Sequence, residues 1–425
     1  MNQTMGMARG KDKVELITGL DIGSTSVRLA VGQYVYHTDQ PGSLQIIAAI
    51  EVPSEGLQKG LITSIEDTVS VISNALEQAE RVVGMPLEHV WVGVSGAKII
   101  VQESRGVVAV GRSDGEISDD DVERVVEAAR TIASPLNYEV LHVLPRGYSV
   151  DGQTHIKDPV GMTGIRLEVD TKIIYGLSSH MKNITKAVYR AGVDIDDFVL
   201  SILAAGEVVA DSKQKELGVL IVNIGGPSTT LVVYEEGDIM HTAAIPIGSS
   251  HITNDLALGL KTSIDIAEKV KIRYGHCLSK SVGKKETIDL ADLGAEHSEL
   301  VHFHYISEIV EARAAEILEK IDQELIAIDR AGLLPAGVSF VGGGSKIGGL
   351  VDLSKEQLSL PARQGQLFGI QGITSKINDA AFAPVIGLVK WGSSVHRAGN
   401  KKRFSLKLTH GVRDRFHKIF KSLIP

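Results

Sequence analysis

The clearest pattern in the chain is an apolar run broken by a glycine turn and then resumed. Val219 to Val222 is continuously apolar, which fits a strand buried on both faces. Asn223-Ile-Gly225-Gly226-Pro-Ser228 interrupts it with turn residues, and Thr229 to Tyr234 restores it, predicting strand, turn, strand. The same design occurs earlier, where Ile17 to Leu20 and Val27 to Val31 flank Asp21-Ile-Gly23-Ser24-Thr25. A third cluster, Gly342-Gly343-Gly344-Ser345-Lys346, directly follows another apolar run. Glycine lacks a Cβ, so backbone N–H groups there can approach an anion closely and point at it. One such turn alone reads as an ordinary hairpin. Two of them, roughly two hundred residues apart, predict a duplicated fold whose halves face each other across a nucleotide, with the third turn meeting base and sugar.

Between these markers the pattern alternates in type. Leu44 to Val52 reads as a strand, Ser64 to Val83 as a helix with Val69, Ile72, Ala75, Leu76 and Ala79 on one face, and Val90 to Val94 as a buried strand. This order fits half of a nucleotide-binding α/β domain. From Ser95 to about Glu168 it changes: strand pieces over 98–101 and 106–110, a helix from Ser118 to near Pro135, then strands over 140–143 and 147–150. Ser118-Asp-Asp-Asp121 predicts a capped start with an acid at the third helical position. The segment reads as an inserted α+β subdomain, either structural elaboration or a partner surface. Helices are expected over 181–191, 249–260, 265–274 and 305–331, and the polar stretch 276–305 should hold short strands.

Composition narrows the function classes. The 425 residues are enough for two or more cored domains, and no run of eighteen apolar residues predicts a membrane span. The first fifteen residues lack an apolar signal region, which argues against secretion. The single Cys277 leaves no internal disulfide and no cysteine-based zinc site. His302 and His304 would share one strand face but lack a third metal ligand. Net charge is −8, yet residues 397–425 carry nine Lys/Arg against Asp414 alone, leaving −16 on the remainder. An acidic body repels nucleic acid, so no nucleic-acid partner is expected.

Those motifs, together with 56–62 (GLQKGLI), 92–96 (VGVSG), 158–168 (DPVGMTGIRLE), 259–268 (GLKTSIDIAE) and the 383–388 segment, resemble the bacterial FtsA family over nearly the whole chain. The resemblance implies an α/β, actin-like duplicated nucleotide-binding fold with an FtsA-type insert (subdomain 1C) and a C-terminal amphipathic helix. It divides the chain into 1A (14–94 and 170–204), 1C (95–169), 2A (205–252 and 306–392), 2B (253–305), a basic linker (393–410) and a membrane-targeting helix (411–425). ATP would lie between the halves, its phosphates held by Gly23, Ser24 and Thr25 from one side and by Asn223, Gly225, Gly226, Ser228 and Thr229 from the other. Gly343, Gly344 and Ser345 would pack the adenosine. Glu268 and Lys271, on one helix side, would reach ribose and base, or would simply pair with each other. Asp21 would orient water on a Mg²⁺ ion.

One departure bears on chemistry. Asn223 stands where the family commonly has Asp, Pro227 where it has Gly, and 201–205 (SILAA) lacks the Gln or Glu that orients water in active ATPases of this superfamily. Slow or negligible hydrolysis is therefore expected. The family implies self-polymerisation, receipt of the FtsZ C-terminal peptide on 2B, recruitment of later division proteins through 1C, and a place on the cytoplasmic face of the membrane at the division site. Lys284-Lys285 in 2B reads more simply as a solvated charge pair.

The tail carries its own signal. Val412, Phe416, Ile419, Phe420, Leu423 and Ile424 fall within an arc of about 140°, with Arg413 and Arg415 on the flanks and Lys418 and Lys421 opposite. Such a helix lies in a membrane interface with basic residues level with anionic lipid headgroups. The competing reading is a terminal helix docked on the body. Competing functions are a PilM-like pilus adaptor, which would not need this tail, and a sugar or metabolite kinase, which would need a carboxylate base and a sugar pocket.

Overall fold

The computed structural model describes residues 16–35, 43–96, 98–131, 135–372 and 375–405. In chain order the first half contains β1 (Leu16–Ile22), β2 (Ser26–Val35), β3 (Ser43–Pro53), the short pair β4 (Leu57–Gln58) and β5 (Leu61–Ile62), α1 (Ile65–Val83) and β6 (His89–Val94). The insert adds β7 (Ile99–Ala109), α2 (Asp119–Arg130), β8 (Tyr138–Val150), β9 (Gln153–Ile156) and β10 (Arg166–Leu177). The chain returns through α3 (Ser178–Arg190), β11 (Asp194–Leu200), α4 (Ser201–Val209) and α5 (Ser212–Leu217). The second half holds β12 (Val219–Ile224), β13 (Thr229–Glu235), β14 (Asp238–Ile245), α6 (Ser249–Gly259), α7 (Ile264–Tyr274), β15 (Thr287–Asp289), β16 (Leu300–His302) and α8 (Phe303–Ala327). It ends with β17 (Val338–Val341), α9 (Leu350–Leu358), β18 (Ala362–Gln364), β19 (Gln371–Gly372) and α10 (Ala383–Ser405).

The duplication is visible in sheet order. The first sheet runs β11-β6-β1-β2-β3, with β19 on its edge, and the second runs β18-β17-β12-β13-β14. In both, an antiparallel meander of three strands meets two parallel strands at its first member. Helices α4 and α10 fill the layer between the two sheets, packing Leu203, Ala204, Val385 and Leu388 against Ile17 and Trp91 on one side and Val219 and Ile221 on the other. Outside this layer, α1 and α3 cover the first sheet, and α6 to α9 cover the second. The two middle helices cross backbone to backbone, for a Cβ on Gly387 would lie 2.0 Å from the Ala204 carbonyl oxygen.

The insert forms its own sheet, β7-β10-β8-β9, with α2 across it. Each pair of strand pieces expected there is one long strand. The first pair fuses because β7 aligns with β10 from Ile99 to Ala109, which supports the polar stretch Gln102 to Arg105. In β8 the break at Pro145 is only a register shift, since β9 pairs no residue before Tyr148 and Pro145 faces an open edge. Sheet pairing in β10 also continues past residue 169, to Leu177.

Ser118 caps α2 as its sequence predicts. Asp121 accepts hydrogen bonds from the Ser118 hydroxyl (2.6 Å), the Ser118 amide (2.9 Å) and the Gly111 amide (2.9 Å) and pairs with Arg124. Those donors, the Ser118 hydroxyl foremost, hold its carboxyl well below the usual carboxylate range. A depressed folded pKa stabilises the fold above the ordinary value of 3.8, and that contribution fades as pH falls toward the lowered one. Asp121→Ala is expected to cost about 1–2 kcal/mol in thermal or urea unfolding near pH 7, with the gap from the unaltered chain narrowing in strong acid.

Two further expectations are corrected. His304 lies in the first turn of α8, not on the strand with His302, and its Nδ1 faces the Ser279 carbonyl. Among the described residues no group of three or more His, Cys, Asp or Glu could hold a metal ion. Helix α10 continues to Ser405, through much of the segment read as an aperiodic linker; a helix nucleated in the core propagates outward without an apolar stripe. Residues 411–425 lie outside the described residues. No described helix is long and apolar enough to cross a membrane.

Candidate functional site

The matched turns line a cavity of about 660 Å³ between the halves. They are built alike. The Gly23 amide donates to the Ser26 carbonyl (3.2 Å), and the Gly225 amide to the Ser228 carbonyl (3.0 Å). A Cβ on Gly23 would lie 2.8 Å from the Ser26 carbonyl oxygen, and one on Gly225 3.0 Å from that of Ser228, so both turns close tightly around glycine. Asp21 and Asn223 occupy equivalent positions, two residues before each first glycine. The two turns nearly touch: a Cβ on Gly226 would sit 2.7 Å from Thr25 Oγ1 and 2.9 Å from Ser250 Oγ.

Each turn is braced from behind. Ser24 Oγ accepts the Gly60 amide at 2.7 Å, tying the first turn to the Gly56–Gly60 loop. The amides of Ser249 and Ser250, at the start of α6, donate to the carbonyls of Gly225 (2.8 Å) and Gly226 (2.9 Å). Asp21 is buried and accepts a hydrogen bond from Ser201 Oγ at 2.8 Å. Burial pushes its pKa up, while Ser201 and the nearby Arg28 pull it down.

Other predicted residues take more varied positions. Glu268 and Lys271 line the cleft and also pair with each other at 2.6 Å, so the two readings of this pair describe one arrangement. Lys271 donates in addition to Thr253 Oγ1 (2.8 Å), and its burial lowers its pKa against the pull of Glu268. Of the third turn, Gly343 faces open space, whereas Gly344 packs on Ile224 and Ser249. Ser345 is buried and donates to the Gly342 carbonyl, away from the cleft wall. Thr229 likewise is fully buried, its hydroxyl donating to the Ile247 carbonyl at 2.8 Å.

The wall position on β13 belongs instead to Thr230, whose buried hydroxyl has no hydrogen-bond partner among the described residues. Strand alternation could have offered Thr230, but only the pairing with Asn223 on β12 decides which threonine faces inward. Ser95 and Gly96, from the 92–96 stretch, and Lys346, at the end of the third glycine cluster, also line the cleft, although none was expected as a site residue.

This lining fits a nucleoside polyphosphate. Glycine turns keep side-chain carbon off two stretches of the wall, Ser24, Thr25, Ser228 and Thr230 bring hydroxyls to it, and the ammonium groups of Lys271 and Lys346 line it while paired with Glu268 and Asp379 (2.6 Å each). The acids in the wall are few. Glu51 is paired with Arg28 (2.6 Å), Glu268 with Lys271, and Asp21 holds Ser201. Glu207 is turned away, paired with Lys215 at 2.7 Å. A larger cavity of about 770 Å³ lies between the insert and the second half, but its walls carry ion pairs such as Arg330–Glu235 and Lys172–Glu103 and no glycine turn. The cleft is the stronger candidate.

Known proteins agree with this architecture. Residues 96–175 match the family model "SHS2 domain inserted in FTSA", and residues 220–387 match "Cell division protein FtsA". The chain is 35% identical to cell division protein FtsA of Pseudomonas aeruginosa over 89% of each chain. It is 39% identical to that of Bacillus subtilis over 81% of this chain and 77% of the relative. Among solved structures it is similar to a chain of the PilM–PilN type IV pilus biogenesis complex, with TM-score 0.64 and 16% identity over 88% of this chain and 98% of that one. It is also similar to MreB5 of Spiroplasma citri bound to ADP, with TM-score 0.51 and 13% identity over 92% and 98%. These structural likenesses identify the fold as actin-like. With that fold, the SHS2-type insert and relatives matched along most of its length, the chain belongs to the FtsA family of cell division proteins.

Proposed function

We propose that this chain is an ATP-binding, actin-like division protein that polymerises and tethers FtsZ filaments to the cytoplasmic membrane. The observation that carries the reading is the pair of matched glycine turns, one from each half, that meet beside a single cavity of about 660 Å³. The turns grip the phosphates, and the Glu268–Lys271 pair and Gly343 bound the nucleoside end. When bound, Mg²⁺ would neutralise phosphate charge beside Asp21 through its own water shell.

Residues 253–305 receive the FtsZ C-terminal peptide, the insert recruits later division proteins, and residues 411–425 lie on anionic lipid. Binding through one tail is reversible, since each basic residue near the surface contributes about 1 kcal/mol. A row of subunits binds more tightly because later tails are held at high effective concentration. ATP then controls attachment by favouring the polymer.

Of the wall carboxylates, Glu51 and Glu268 are ion-paired and Asp21 is buried against Ser201, and Asn223 takes the place of a second Asp, so hydrolysis is slow. The test is twofold: titration of the full chain with a fluorescent ATP analogue, and co-sedimentation of FtsZ filaments with anionic vesicles in its presence. The expected results are saturable binding, FtsZ carried down only when this chain is present, and phosphate release well below ~1 s⁻¹, the low end of ordinary enzyme turnover. Absence of binding would end the proposal, and brisk turnover would end its claim about hydrolysis.

A further inference from the structure

His142 is on β8 of the insert, yet its ring serves the first half. Its Nε2 accepts the backbone amide of Leu200 at 2.9 Å. An accepting Nε2 fixes the neutral tautomer with its proton on Nδ1. Burial agrees with this, pushing the pKa down to about 4. The ring also rests against the indole of Trp391 on α10, centroids 5.9 Å apart and planes at 52°.

Leu200 is the last residue of β11 and immediately precedes α4, whose start has no side-chain cap of its own. The next residue, Ser201, is fully buried and donates to Asp21 in the cleft. There is no slack around that bond. A Cβ on Gly93 would lie 2.6 Å from Ser201 Oγ and 2.9 Å from Asp21 Oδ1, so three backbones converge on one hydrogen bond. In so close a packing, a shift of the Leu200–Ser201 backbone moves Asp21 as well.

We propose that His142 is a positioning residue for the cleft, through which the docking of the insert sets the placement of Asp21. The inference rests on the nucleotide reading given above. Linkage makes it reciprocal: whatever displaces the insert weakens nucleotide binding, and nucleotide steadies the insert by the same factor.

Two substitutions at His142 separate this role from simple packing. Phenylalanine keeps an aromatic ring against Trp391 but cannot accept the Leu200 amide. Glutamine loses the ring but can present its amide oxygen near the position of Nε2. In the full chain, His142→Phe is expected to weaken binding of the fluorescent Mg–ATP analogue about three- to tenfold, the effect of one hydrogen bond, while His142→Gln stays within about twofold. A packing role predicts the reverse order. Ser201→Ala should weaken binding similarly, and the double variant His142→Phe/Ser201→Ala should be no worse than either single one. Unchanged affinity in His142→Phe, better binding by Phe than by Gln, or additive effects in the double variant would overturn the proposal. If His142→Phe does not fold, His142→Asn takes its place, since that shorter amide cannot reach Leu200, with the same expectations. An unaltered chain that binds no nucleotide would refute the function proposed for the cleft, a result distinct from these.

Discussion

Gly226→Val is expected to abolish nucleotide binding while leaving the fold in place. The position has an unstrained backbone, with no left-handed φ that a side chain would oppose. What it lacks is space, since even the first carbon would meet Thr25 Oγ1 at 2.7 Å and Ser250 Oγ at 2.9 Å. These neighbours are hydroxyl tips able to turn aside, so the protein can admit valine by pushing them into the cavity. Phosphate would then compete with two methyl groups and two displaced hydroxyls. An affinity loss of ~100-fold or more is expected in titration with the labelled analogue, equivalent to about 2.8 kcal/mol of binding. Thermal unfolding without nucleotide should move by only a few degrees. Near-normal affinity would mean that the turns do not enclose phosphate.

Removing residues 411–425 is expected to eliminate pelleting with anionic vesicles while nucleotide affinity stays unchanged. The segment supplies Arg413, Arg415, Lys418 and Lys421, together worth about 4 kcal/mol near such a surface, and an apolar face that adds a few more. Phe416→Glu/Phe420→Glu should imitate the truncation by placing charge in the apolar face. Raising salt should weaken the intact chain's attachment without affecting its cleft. Vesicle binding that survives the truncation would transfer the membrane role to the body of the protein.

How much of this could be read from residues alone depended on range. The first two glycine turns were legible because strand, turn and strand are contiguous, the third because it directly follows an apolar run, and Ser118 because its capping partner is three residues away. The Glu268–Lys271 pair was legible for the same reason, one helical turn apart. What failed needed register or distant neighbours. Thr229 and Thr230 cannot be told apart until β12 is aligned with β13. The strands over 140–143 and 147–150 were read apart because the open edge that admits Pro145 between them is a property of the sheet. The contact from His142 to Leu200 spans 58 residues and two elements, with no local pattern to mark it. The extent of α10 was missed because its outer turns inherit their conformation from the buried part.

The crossing at Gly387 has a mechanical meaning. Helix α10 follows the second half in sequence but lies on the first, where Gly19 abuts its Val385 carbonyl and Trp91 abuts Gly392. With bare backbones touching at Ala204, neither middle helix can shift sideways there without a backbone clash. From Gly387 to Ser405 the helix is a lever of about 27 Å. A tilt of ~10° about the crossing would swing its far end by about 5 Å.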